Sequence, residues 1–163
     1  MAELAIGSST LRNQGAKGVV RSAREFLKRI NLETFRAESA GAFDARLDSA
    51  TEELRRRLPE GARNWGAARK ALNVFLRDVL YNSYLRSRYR FDQIETWLEA
   101  PLDRYVAHAL LGEAEGGLLP PCPTIKRLTP RISAQYQAAA RSVAKRMGTA
   151  PVHLDLYYWQ RDV

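Results

Sequence analysis

A chain of 163 residues, 45% hydrophobic and 27% charged, can bury one core without staples, and it reads as a single domain spanning residues 1–163. Its one cysteine, Cys122, rules out a disulfide framework or a cysteine zinc site, and with only His108 and His153 as histidines no metal or cofactor is expected. The net charge of +8 points to a polyanionic partner, nucleic acid before membrane, because no basic amphipathic segment carries an aromatic lipid face.

No run has the length of a membrane span and no signal-peptide pattern opens the chain, so a cytoplasmic setting without membrane contact is expected. Residues 1–16 show no sustained period and read as an extended leader or a short helix. Val19, Val20, Ala23, Phe26, Leu27 and Ile30 predict a first firm helix. Gly41 is expected to break the next segment. Phe43, Leu47, Ala50, Leu54 and Leu58 then mark a second amphipathic helix, closed by Pro59 and Gly61. Arg55, Arg56 and Arg57 at its end suit the helix dipole and need no ligand to explain them.

The stretch from Asn64 to Tyr81 organises the chain. Trp65, Ala68, Leu72, Phe75, Leu76 and Val79 recur at helical steps, and at about 100° per residue they fall within about 50° of one direction. Lys70 points away from that face, and Val74, Arg77 and Tyr81 share its side. If that side is water, Lys70 is an ordinary surface lysine. If it is a cleft, Lys70 is an amine on a firmly anchored helix.

Further on, Ser83–Arg90 interleaves basic residues with tyrosines, and Asp92 is placed to cap a short helix carrying Ile94, Trp97 and Leu98. Pro101 sits where the next helix should begin, with Asp103 in its first turn and Gly112 at its end. A carboxylate there is favourable for the dipole and can accept backbone N–H bonds. Residues 112–124 read as a long loop. Lys126 and Arg127 precede Thr129-Pro130, a cap followed by a first-turn proline, and Arg131 follows; three cations at a helix start suit a DNA phosphate. Pro151 opens a last helix through Trp159. No strand alternation or repeat is visible, so the expected fold is all-α, with about seven helices.

A lysine, carboxylates near helix starts, aromatics and a basic surface suit one reaction class, breakage of an N-glycosidic bond in DNA. An amine can attack the anomeric carbon and expel the base, leaving a Schiff base. A carboxylate can take the amine's proton and stabilise positive charge on the sugar. The base must leave the stack first, so it needs an aromatic surface and a polar group at its edge.

Lys70 and Asp103 lie 33 residues apart, with Asp103 in Ala100-Pro101-Leu102-Asp103-Arg104-Tyr105-Val106-Ala107. This pattern resembles the archaeal-type 8-oxoguanine DNA glycosylases, a divergent branch of the helix-hairpin-helix glycosylases. Pro151-Val152-His153-Leu154-Asp155-Leu156-Tyr157-Tyr158-Trp159 resembles that family's final helix. The resemblance covers about Leu58 to Trp159, in short motifs. It implies a helix-hairpin-helix fold and a DNA glycosylase with AP-lyase activity, acting as a monomer on double-stranded DNA. It assigns catalysis to Lys70 and Asp103, and base binding to Asp155 and Trp159 with Val74 and Arg77 beside them. Lys126, Arg127 and Arg131 would grip phosphate.

Two departures bear on the substrate. The segment from Leu58 to Gly66 matches the family's glycine-rich hairpin only loosely. Val74 stands where the family has a second aromatic against the purine. One aromatic wall, Trp159, leaves 8-oxoguanine and a bulkier base as alternatives, the latter as in glycosylases that restrict phages with hypermodified DNA. The rival reading is a non-catalytic basic helical module that binds nucleic acid or protein.

Overall fold

The computed structural model describes the chain apart from residues 8, 12, 114–118, 122–123 and 162–163. Among the described residues it is all-helical. Eight α-helices are joined by short 3₁₀ turns: α1 (Ala2–Ala5), α2 (Val19–Arg29), α3 (Ala40–Arg57), α4 (Trp65–Tyr81), α5 (Ser83–Tyr89), α6 (Arg104–Glu113), α7 (Pro130–Arg146) and α8 (Leu154–Arg161). No helix among the described residues is long and apolar enough to cross a membrane.

Side-chain caps set several of the helix starts. Ser39, Asn64, Asn82 and Thr129 each accept a hydrogen bond from a backbone N–H three residues on, at 3.2, 2.8, 2.9 and 3.3 Å, which satisfies one orphan donor in each first turn. The Ser39 cap explains why Gly41 does not break the chain as expected. It lies within the first turn of α3, where the capped turn absorbs glycine's freedom. Gly112 likewise falls inside α6, which runs on to Glu113. The short helix expected after Asp92 is instead two 3₁₀ turns, Phe91–Gln93 and Glu95–Trp97. Pro151–His153 is also a 3₁₀ turn, so α8 proper begins at Leu154. Most of the long loop expected over 112–124 lies outside the described residues.

Two hydrophobic clusters form the interior. One gathers α1 to α4 around Phe35, Phe43, Leu47, Leu72 and Leu76, and the other joins α6, α7 and α8 around Val106, Leu110, Tyr136 and Leu154. Helix α4 runs between them. The six residues expected on one buried face are buried or, for Trp65, half-buried, but so are Val74 and Asn73. A helix that reads as amphipathic is thus covered on nearly every side. The far side is closed by elements distant in sequence.

Gly66, in the first turn of α4, makes this packing possible. A Cβ there would overlap the carbonyl oxygen of Ile125 and come within 2.8 Å of Leu128 Cβ. Backbone cannot give way as a flexible side chain can, so Gly66→Ala should cost about 3 kcal/mol. For a chain of this size that lowers Tm by about 6–12 °C. Thermal unfolding of the purified variant checks this, and a Tm within 2 °C of wild type, roughly the shift of a 1 kcal/mol change, would contradict the close packing.

Candidate functional site

Where the two clusters meet, the surface opens into a cleft of about 320 Å³. Helix α4 supplies Lys70, Val74, Arg77 and Asp78, and the segment ahead of α6 supplies Pro101 and Asp103. Helix α8 contributes Asp155, Leu156 and Trp159, while the N-terminal segment closes the remaining side with Leu4, Ala5, Ser9 and Thr10. The two residues expected to act on the sugar and the four expected to hold the base therefore share one cleft.

Lys70 does not face open water. It makes no hydrogen bond or ion pair among the described residues. Burial pushes its ammonium below the ordinary lysine value, against the opposing pull of the Asp103 and Asp155 carboxylates, while the Arg77 charge adds to the fall. An amine held this way gives up its proton more readily than a solvated lysine.

Asp103 is a cap rather than a first-turn residue. Its Oδ1 accepts from the backbone N–H groups of Tyr105 at 2.9 Å and Val106 at 3.0 Å, and α6 starts one residue later. Both donors converge on a single oxygen. Oδ2 makes no hydrogen bond among the described residues, so the capping role and a chemical role can coexist in one side chain.

Asp155 is buried at the cleft's inner wall and paired with the Arg77 guanidinium. Arg77 also forks onto its neighbour Asp78 through Nε at 3.0 Å and Nη2 at 2.8 Å. Burial holds the Asp155 carboxyl above its usual range, and the charge of Arg77 only partly offsets that effect. Arg77 thus fixes the orientation of Asp155 within the cleft. Trp159 is 49% exposed; it is not a core aromatic. Its ring packs on Tyr105 with centroids 4.8 Å apart, leaving area toward the cleft for a planar group.

Tyr81, on the same side of α4 as Lys70, turns instead to the 3₁₀ turn that leads into α8. It stacks on His153 at 5.6 Å and bonds its Nδ1 at 2.8 Å, while Nε2 of the same imidazole lies 2.7 Å from Glu95. His153 is therefore a polar fastener that holds the start of α8 against α4.

Lys126 and Arg127 lie in the 3₁₀ turn Ile125–Arg127, and Arg131 in the first turn of α7. All three are exposed and none forms an ion pair among the described residues. The turn is packed onto the start of α4 through Gly66, so Lys126 and Arg127 sit at the N-terminal end of the helix that carries Lys70. They are outside the cleft.

The N-terminal wall was not readable as part of a site. Ala2, Ala5 and Ile6 are buried and keep a helical step of three and four, but over too few residues to stand out. The wall is moored to α2: Arg24 donates to the carbonyls of Ile6 at 2.8 Å and Glu3 at 3.2 Å, and Lys28 pairs with Glu3 at 2.6 Å. Among the described residues no group of three or more histidine, cysteine or acidic side chains is placed to hold a metal ion. No family model, no curated protein and no solved structure matches the chain.

Proposed function

We propose that this protein is a DNA glycosylase with lyase activity, which draws a damaged or modified base into the cleft and expels it by attack of Lys70 on the sugar. The observation that supports this best is the convergence, from three separate segments, of an amine depressed by burial, a carboxylate with a spare oxygen and a half-exposed tryptophan. In this reading the Lys70 amine, once deprotonated, forms a bond to C1′ as the C1′–N bond breaks and the base leaves with its electron pair. Asp103 faces the positive charge that develops on the sugar and takes the proton that the amine releases. Asp155 reads the base edge and Trp159 lies against its face.

The protein is incubated with oligonucleotides carrying 8-oxoguanine and with phage DNAs carrying different modified bases, and abasic sites are counted. The expected result is abasic sites in at least one of these DNAs with wild type and none with Lys70→Gln. DNA binding without excision across the panel favours the non-catalytic module instead. The grip on the duplex is tested separately. Charge reversal at Lys126 and Arg127 should weaken binding to every duplex alike and flatten its salt dependence by about two phosphates' worth of counterions. An unchanged slope of log affinity against log salt would return both residues to plain surface charge.

A further inference from the structure

The residue beside Lys70 on α4 is also charged and is 6% exposed. Arg69 grips Glu99 as a fork, Nε to Oε2 at 2.9 Å and Nη2 to Oε1 at 3.0 Å. Its remaining nitrogen, Nη1, reaches Thr51 Oγ1 and Asp48 Oδ1, both at 2.9 Å, and its guanidinium lies over the Trp65 ring at 5.1 Å. Asn73, one turn along the same helix, donates to Glu99 Oε2 at 2.8 Å. Glu99 is thereby held by three donors, all from α4.

Glu99 stands four residues before Asp103, and the link between them is pinned throughout. Gln137, buried on α7, accepts from the N–H of Ala100 at 3.0 Å and donates to its carbonyl at 2.8 Å, so one side chain pairs both backbone groups. Pro101 and Leu102 are buried, and Asp103 then caps α6. Buried ion pairs are poor sources of stability, since desolvation consumes most of the attraction; their best-attested use is to fix one arrangement over its alternatives. A bidentate fork fixes direction as well as distance.

We propose that Arg69 and Glu99 form a positioning pair that sets the Asp103 carboxylate against the Lys70 amine. Consecutive residues of α4 thus divide the work, with Lys70 facing the cleft and Arg69 holding the chain that brings its partner. The proposal rests on Lys70 and Asp103 being the working pair, but its geometric content is testable without DNA.

The test is a coupling measurement. Lys70 is titrated by NMR of its side-chain Cε–Hε signals in wild type and Asp103→Asn, and again in both with Arg69→Met plus Glu99→Gln added. That double replacement removes both buried charges and keeps an acceptor for Asn73. In the native background, Asp103→Asn should lower the Lys70 titration midpoint, because the carboxylate raises it. In the folded Arg69→Met/Glu99→Gln background the same change should have little effect, since Asp103 no longer stands opposite the amine. Full coupling retained in that background overturns the proposal. If the double replacement fails to fold, Arg69→Lys serves, keeping the charge and losing the fork; coupling equal to wild type there overturns it equally.

Excision supplies the second readout. With the pair replaced, kcat should fall about 100-fold, as for a misplaced catalytic group, while KM changes less than threefold. Equal losses in both would mark a general structural defect and also overturn the proposal. Absence of excision by wild type would count against the glycosylase reading alone, because the titration still decides the placement.

Discussion

Lys70→Gln is expected to fold, bind duplex DNA, and lose covalent trapping altogether. If the amine forms a Schiff base with the sugar, borohydride added during turnover reduces it to a stable adduct in wild type. Glutamine offers no nucleophile, so no adduct should form. Peptide mapping of the wild-type adduct should return Lys70, and a Lys70→Gln protein that still traps would assign the chemistry to another amine.

The variant should be at least as stable as wild type at neutral pH. Burial lowers the Lys70 pKa in the folded state below that of the unfolded chain, so the unfolded chain binds the proton more tightly and wild-type stability rises with pH across that interval. Removing the amine relieves a cost that is present in full below the folded pKa and fades as pH climbs toward the ordinary lysine value. Denaturant melts across that pH range check the sign. Excision should follow the same ionisation and rise with pH to a midpoint below the ordinary lysine value. An excision rate that falls with pH across this interval would remove Lys70 from the attack.

The second large effect belongs to Asp103→Asn. The cap uses one oxygen, which accepts both backbone N–H bonds, and asparagine caps about as well as aspartate, so stability should fall by at most about 1 kcal/mol. In the glycosylase reading, what disappears is the negative charge opposite the developing cation. Loss of such electrostatic help costs about 10²–10³ in rate, and loss of the proton acceptor adds to it. The variant should therefore melt near wild type, bind DNA normally and excise at least about 1,000-fold more slowly. Near-normal excision by this folded protein would leave Asp103 as architecture only.

Different parts of the molecule were legible to different degrees. Helix α4 could be read because its apolar residues recur over 17 residues, long enough for the period to be plain. Its opposite face gave no sign that it would be covered, because α6 and α8 begin 23 and 73 residues beyond its end at Tyr81. The pairings Arg69–Glu99, Ala100–Gln137 and Arg77–Asp155 span 30, 37 and 78 positions. The first two draw in side chains, Arg69, Glu99 and Gln137, that look like ordinary surface polar groups until the fold brings them to their partners. Lys70, Asp103, Asp155 and Trp159 were legible as a set only through the resemblance of three motifs. The wall made by Leu4, Ala5, Ser9 and Thr10 belongs to no motif, and its place at the cleft depends on hydrogen bonds from Arg24 and Lys28 on α2.

The missing Cβ of Gly66 also acts as a ruler. Because the backbone of Ile125 rests directly against the first turn of α4, Lys126 and Arg127 have no lever arm through which to drift relative to that helix. Lys70 follows Gly66 by four residues, about 6 Å along the axis at 1.5 Å per residue. Successive nucleotides of one strand advance about 3.4 Å. A phosphate held by those cations would thus lie within a few nucleotides of the attacked sugar at every encounter. Footprints on duplexes cut back one nucleotide at a time should show affinity falling in a single sharp step on that side, rather than tapering.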